Sequence, residues 1–152
     1  AKQAPSISRG DMSGTHVAEL GVWKAAGLKP DGDRDEWYTV FSLGKLGNGQ
    51  TTYFADKRQA YTLMDRATYL TLMDKVSIVP LCEGDPVLLN HIAAIEVSPK
   101  RFPSVNNADV VKFVNWLCSD EAQTLIRDFE VKKYGQPLFF PNSDEWNKKH
   151  PK

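Results

Sequence analysis

The stretch Ser8-Arg9-Gly10-Asp11-Met12-Ser13-Gly14-Thr15-His16 gathers the chain's chemistry-bearing residues at what reads as a strand-to-helix junction. The first backbone N–H groups of a helix have no intrahelical partner and together carry about half a positive charge. An anion is stabilised there. Gly14 allows close backbone approach, Ser13 and Thr15 add hydroxyl donors, and Arg9 adds a planar, permanently charged fork suited to tetrahedral oxyanions. The competing reading is an ordinary capped helix with Arg9 on the surface. Asp11, Ser13 and His16 also have the residue types of a hydrolase triad. All three lie on one helix start, however, where Ser13 is wanted as the cap and no nucleophile elbow surrounds it, so no catalytic residue is assigned.

Gly44-Lys45-Leu46-Gly47-Asn48-Gly49 repeats the device before a second helix, with Gly47, Asn48 and Gly49 as further possible anion contacts. A plain tight turn is the alternative. The glycine order is inverted relative to a dinucleotide fingerprint, and the Gly10–Gly14 segment lacks the Lys-Ser/Thr ending that grips a nucleotide's phosphates. His91 and His150 have no companion His or Cys at ligand spacing, so no metal site is expected.

The elements that must position these residues follow from pattern. Residues 4–8 read as a short strand. A helix follows, capped by Ser13 or Thr15 and closed by Gly27, whose buried stripe is expected to be Val17, Leu20 and Trp23, widened by Ala18, Val22 and Ala25. Residues 29–36 form an acidic solvated loop. A shorter helix over 51–59, a buried strand over 60–64, an Asp65-capped helix to Met73 and a strand over 76–82 complete an α/β layer pattern with part of the sheet parallel. Beyond Pro86 a strand is expected over 92–97. A helical region over 108–129 comes next, with Val110, Val111, Val114 and Leu117 inward, Phe113 and Trp116 extending the stripe, and a recapping break at Ser119. Residues 145–152 read as a frayed polar tail.

Composition bounds the rest. The chain has 152 residues, 41% of them hydrophobic and 25% charged, with 19 basic and 19 acidic side chains. Zero net charge removes the broad positive field that non-specific nucleic-acid or anionic-membrane binding needs, so any anion must be held locally. No apolar run is long enough to cross a bilayer, and the first five residues lack the apolar core of a signal peptide. Cys82 and Cys118, 36 positions apart in apolar settings, read as buried reduced thiols.

The strings Ser8-Arg9-Gly10-Asp11, Ser13-Gly14-Thr15-His16, Glu19-Leu20, Trp23-Lys24-Ala25-Ala26-Gly27 and Trp37-Tyr38 carry a likeness to a known family. It continues through Ala60-Tyr61-Thr62-Leu63, Asp65-Arg66, Thr68-Tyr69-Leu70, Glu83-Gly84-Asp85, Leu88-Leu89-Asn90 and Leu138-Phe139-Phe140-Pro141-Asn142. In this order they resemble the tungstate-binding component of ABC transporters, in the periplasmic-binding-protein-like class. The resemblance implies a type II clamshell lobe of three α/β/α layers over residues 1–86. Residues 87–152 would then bring a C-terminal strand and helices that cross back to the partner lobe. It also implies an extracytoplasmic protein that closes on a tetrahedral oxyanion and delivers it to a permease. The oxyanion would be tungstate, with molybdate, phosphate or sulfate as alternatives. Arg9, Ser13, Gly14 and Thr15 match the anion-binding positions; Gly47, Asn48 and Gly49 match a glycine turn in which Asn48 replaces the usual residue. The first-lobe residues that complete such a site are not among these strings. Cofactor, nucleic-acid partner and membrane insertion are not expected. A phosphate-ester enzyme and a ligand-free structural domain are the rival readings.

Overall fold

The structure, a computed structural model, describes residues 4–41 and 46–151. It separates into two compact units, Ala1–His91 and Ile92–Lys152.

The first unit is built on a three-stranded parallel sheet of order β2-β1-β3, with β1 (Ser6–Ser8), β2 (Tyr38–Val40) and β3 (Tyr61–Thr62). Ser6 pairs with Tyr38 on one side and Tyr61 on the other, so β1 is the centre strand, and all three of its residues are buried. Parallel neighbours need long crossovers, and these supply α1 (Gly14–Ala25) between β1 and β2 and α2 (Gly47–Arg58) between β2 and β3. α2 lies against β1 and β3 through Ala55, fully buried beside Ile7 and Ala60; the small side chain permits that approach. Phe41 and Phe54 stack at 4.3 Å on the same core. α3 (Arg66–Leu72) follows, capped by Asp65 as expected.

Helix α1 does not bury the stripe expected of it. Val17 and Leu20 are 50% and 37% exposed, while Thr15, His16 and Glu19 face inward. The reason is a buried carboxylate with a full set of donors. Glu19 accepts from Ser8 Oγ at 2.7 Å, Tyr38 Oη at 2.8 Å and Trp23 Nε1 at 3.0 Å. Trp23 packs edge to face on both Trp37 and Tyr38 beside it, and Trp37 tilts against Tyr38. Three strong hydrogen bonds to one carboxylate set the helix's rotation more firmly than two aliphatic side chains do.

Strand β2 was not anticipated from its sequence, because it follows an acidic loop and is only three residues long. Conversely, residues 76–82 and 92–97, expected as strands, form none. Asp56 Oδ1 instead accepts from Ser77 and Ile78 N–H, at 2.7 and 3.1 Å, and Ile92 and Ile95 are exposed. The expected C-terminal strand is therefore absent among the described residues.

The second unit is helical: α4 (Asn107–Cys118), α5 (Asp120–Asp128), α6 (Val131–Tyr134) and α7 (Asp144–Lys149). Ser119 ends α4 and caps α5 through Ala122 N, the expected break. Phe113 and Trp116 prove exposed rather than buried. Within the tail expected to fray, α7 forms and is held by side-chain contacts. Buried Gln123 donates to Leu117 O and accepts from Asn142 and Ser143 N–H, while Trp146 stacks on His150 and His150 meets Asp120 at 3.1 Å. Both cysteines are free and exposed, contrary to the buried thiols expected.

Candidate oxyanion site

In open α/β sheets the strands' carboxyl ends and the helix starts that follow them form a natural ligand edge. Here that edge brings together the ends of β1 and β3 and the starts of α1, α2 and α3. Leaving β1, the chain turns at Gly10, whose φ of +69° is left-handed; a Cβ there would stand 2.2 Å from Val40 Cγ1. Only glycine fits. Met12 is also left-handed, at φ +57°, and its N–H donates to His16 Nδ1 at 2.9 Å, which helps hold that strained turn. Ser13 then caps α1, its Oγ accepting from His16 N.

Arg9 does not splay into solvent. Its side chain is 20% exposed, Nε lies 2.6 Å from Asp11 Oδ2, and Nη1 donates to Asn48 Oδ1 at 2.7 Å. The Nε contact is an ion pair by distance alone: this buried N–H is aimed at no acceptor. Asp11 Oδ1 accepts from Ser13 N at 3.0 Å. Burial pushes the Asp11 carboxyl up, but the Ser13 hydrogen bonds and the Arg9 charge outweigh it and hold the pKa below the ordinary value. Asp11 is thus an ionised partner of the arginine.

Asn48, in the first turn of α2, links the three helix starts. Its Nδ2 donates to Thr15 Oγ1 at 3.3 Å and closely to Asp65 Oδ2. Asp65 in turn accepts from Thr68 N and Thr68 Oγ1, each at 2.7 Å. Of the sequence candidates, Arg9, Asn48 and Thr15 are joined by hydrogen bonds, while Ser13 reaches Arg9 only through Asp11. Gly14 and Gly47 are the first residues of α1 and α2, and Gly49 lies in the first turn of α2. What approaches Gly14 is a protein group, since a Cβ there would stand 2.7 Å from Asn90 Oδ1. Ser42, Leu43, Gly44 and Lys45 lie outside the described residues.

Sequence reasoning missed both carboxylates of this cluster. It weighed Asp11 only as a triad type and Asp65 only as a cap. The Asp65-x-x-Thr68 spacing announced the cap; nothing in the spacing placed Asp65 beside Asn48. The Ser13, His16 and Asp11 side chains form no catalytic chain, for Ser13 Oγ serves the backbone N–H of His16 and His16 Nδ1 serves that of Met12. Among the described residues no group of three His, Cys, Asp or Glu side chains stands close enough to hold a metal. No helix of the described residues is long and apolar enough to cross a membrane.

The PBP superfamily domain matches residues 1–121. The chain is similar to the tungstate-binding protein TupA of Peptoclostridium acidaminophilum, with 41% identity over 90% of this chain and 46% of that protein. Two solved structures are similar as well. The TupA tungstate-binding protein of Desulfovibrio alaskensis gives a TM-score of 0.72 at 36% identity, covering 93% of this chain and 56% of that one. The tungstate ABC transporter structure from Geobacter sulfurreducens gives 0.69 at 38% identity, covering 84% and 52%. The chain spans about half the length of the curated relatives it matches.

Proposed function

Starting from the premise that this chain belongs to the PBP superfamily, we propose that it binds a tetrahedral oxyanion, tungstate first and molybdate second, for delivery to an ABC transporter permease outside the cytoplasm. Binding, without turnover, is the whole of its chemistry. The observation that supports this reading is that Asn48, in the first turn of α2, joins the Arg9 fork to the Thr15 hydroxyl in the first turn of α1, at the carboxyl edge of the sheet.

The chemistry of the donors favours such a guest. Thr15 Oγ1 accepts a hydrogen bond from Asn48, so it keeps its own proton for an outside acceptor, while the Ser13 hydroxyl accepts from His16 N and turns its proton to the Asp11 carboxylate. Arg9 Nη2 is engaged by no hydrogen bond among the described residues. Asp11 and Asp65 oppose a dianion, and the amide dipoles of the helix starts offset them. In this reading the first unit supplies one wall of the site, a second lobe supplies the other, and the helical unit crosses back to that lobe. Selectivity among oxyanions then rests on cavity size and donor count.

Titration of the chain with tungstate, molybdate and sulfate, followed through backbone amide NMR signals, tests the reading. Tungstate is expected to shift the amides of residues 13–16 and 47–49 above all others. Arg9→Ala is expected to weaken binding by about 1.5–3 kcal/mol, the worth of hydrogen bonds to a charged group. Shifts confined to other regions, or an unchanged affinity in the variant, would remove the assignment.

A further inference from the structure

An asparagine amide offers one oxygen acceptor and two N–H donors, and its orientation is fixed only when its neighbours distinguish the two ends. Two neighbours of Asn48, Arg9 and Asp65, do so. A guanidinium N–H donates to its oxygen at 2.7 Å, and its nitrogen faces the Asp65 carboxylate and the Thr15 hydroxyl. Turning the amide over would set N–H against N–H at Arg9 and oxygen against oxygen at Asp65. Neither contact is tolerable, so the amide stands one way.

Three consequences follow for the groups around it. Thr15 Oγ1 accepts from Asn48, which leaves the hydroxyl proton to point elsewhere. Arg9 has Nη1 tied down, which fixes the plane of its fork and the direction of Nη2. Asp65, bonded by Asn48, Thr68 N and Thr68 Oγ1, has its negative charge compensated at the edge where an anion must arrive. We infer that Asn48 is the positioning residue of the oxyanion site: it aims the Thr15 proton and the Arg9 fork outward and compensates Asp65, and so sets the affinity of the site for an anion. The inference rests on the oxyanion reading above and adds to it a residue that acts through its neighbours.

Two substitutions separate this role from mere support of the fold. Asn48→Leu keeps the size and removes all three hydrogen bonds. Asn48→Asp keeps size and acceptor but removes the donors, so it draws the Thr15 proton inward and sets a second carboxylate against Asp65. A negative charge in the first turn of α2 suits that helix, so the aspartate variant is expected to fold. Tungstate affinity, measured by calorimetry on the chain with sodium tungstate, is expected to fall about 10-fold in Asn48→Leu and at least 100-fold in Asn48→Asp.

A ligand-independent readout accompanies it. The side-chain N–H signals of Arg9 in the free protein are expected to show slowed rotation in the unsubstituted chain and free rotation in Asn48→Leu. Equal tungstate affinity in the unsubstituted and Asn48→Asp chains would overturn the inference and leave the oxyanion reading standing. A chain that binds no tungstate would overturn the oxyanion reading and the affinity claim built on it, while the Arg9 signals would still decide whether Asn48 holds the guanidinium. Arg9 signals identical in the unsubstituted and Asn48→Leu chains would show that it does not.

Discussion

Glu19 shows how one side chain sets a helix's rotation. The carboxylate accepts from all three side chains around it, whereas an amide in its place offers a single neutral oxygen, so the charge-assisted bonds are lost and the Ser8 hydroxyl must turn round to accept. Glu19→Gln is therefore expected to destabilise the first unit by about 1–3 kcal/mol, read by denaturant unfolding. Tyr38 reports on the same cluster through pH. Burial and then the adjacent Glu19 carboxylate, against the opposing hydrogen bond with Ser8, push its hydroxyl from 10.0 up to about 12. The unfolded chain then releases this proton first. Stability from this group is complete below pH 10, falls as pH rises toward about 12, and the Tyr38→Phe variant should lose that slope. Little of this was legible in the sequence. Hydrophobic periodicity weighs Val17 and Leu20 above Glu19, and it sees neither the Ser8 hydroxyl nor the Tyr38 hydroxyl that make the carboxylate worth burying. Arg9, Ser13 and Thr15 stand out in the sequence as anion candidates because helix starts and guanidinium groups favour anions whatever the surrounding fold. The pairing of Arg9 with Asp11 does not, since it depends on the left-handed turns at Gly10 and Met12.

At the scale of elements, the edge that carries the candidate site depends on how β1 hands over to α1. Gly10 must take a positive φ and lie against Val40 of β2, so the loop and the neighbouring strand fit together as one joint. Gly10→Ala is expected to cost more than about 1 kcal/mol of stability, seen as a lowered thermal midpoint, and to weaken oxyanion binding by displacing Arg9. Retention of both properties would show that the turn is dispensable. Caps were the most readable features of the chain, because Ser13, Asp65 and Ser119 act through neighbours three residues away. Strands were the least readable. Val76 to Cys82 has strand-forming residues, yet the Asp56 carboxylate, distant in sequence, takes its backbone N–H groups. Residues 38–40 have only a short run of their own and become a strand because the central strand offers an open side.

For the whole molecule, equal numbers of basic and acidic side chains mean that no long-range field draws an anion in. Affinity for an anion must come from a few groups at short range, and the candidate site sets one guanidinium beside the Asp11 carboxylate, with Asp65 beyond Asn48. The second unit leaves Phe113, Trp116, Leu125 and Phe129 substantially exposed, and α1 leaves Val17 so on the first. Exposed apolar side chains of this size suit contact with further protein. In the proposed function a tetrahedral oxyanion sits between Arg9, Thr15 and the first N–H groups of α1. Crystals of the chain soaked in sodium tungstate and measured at a tungsten absorption edge test it most directly. A single strong anomalous peak within hydrogen-bonding reach of Arg9 and Thr15, absent in Arg9→Ala, is the predicted result; no peak there, or one equally strong in the variant, would contradict it.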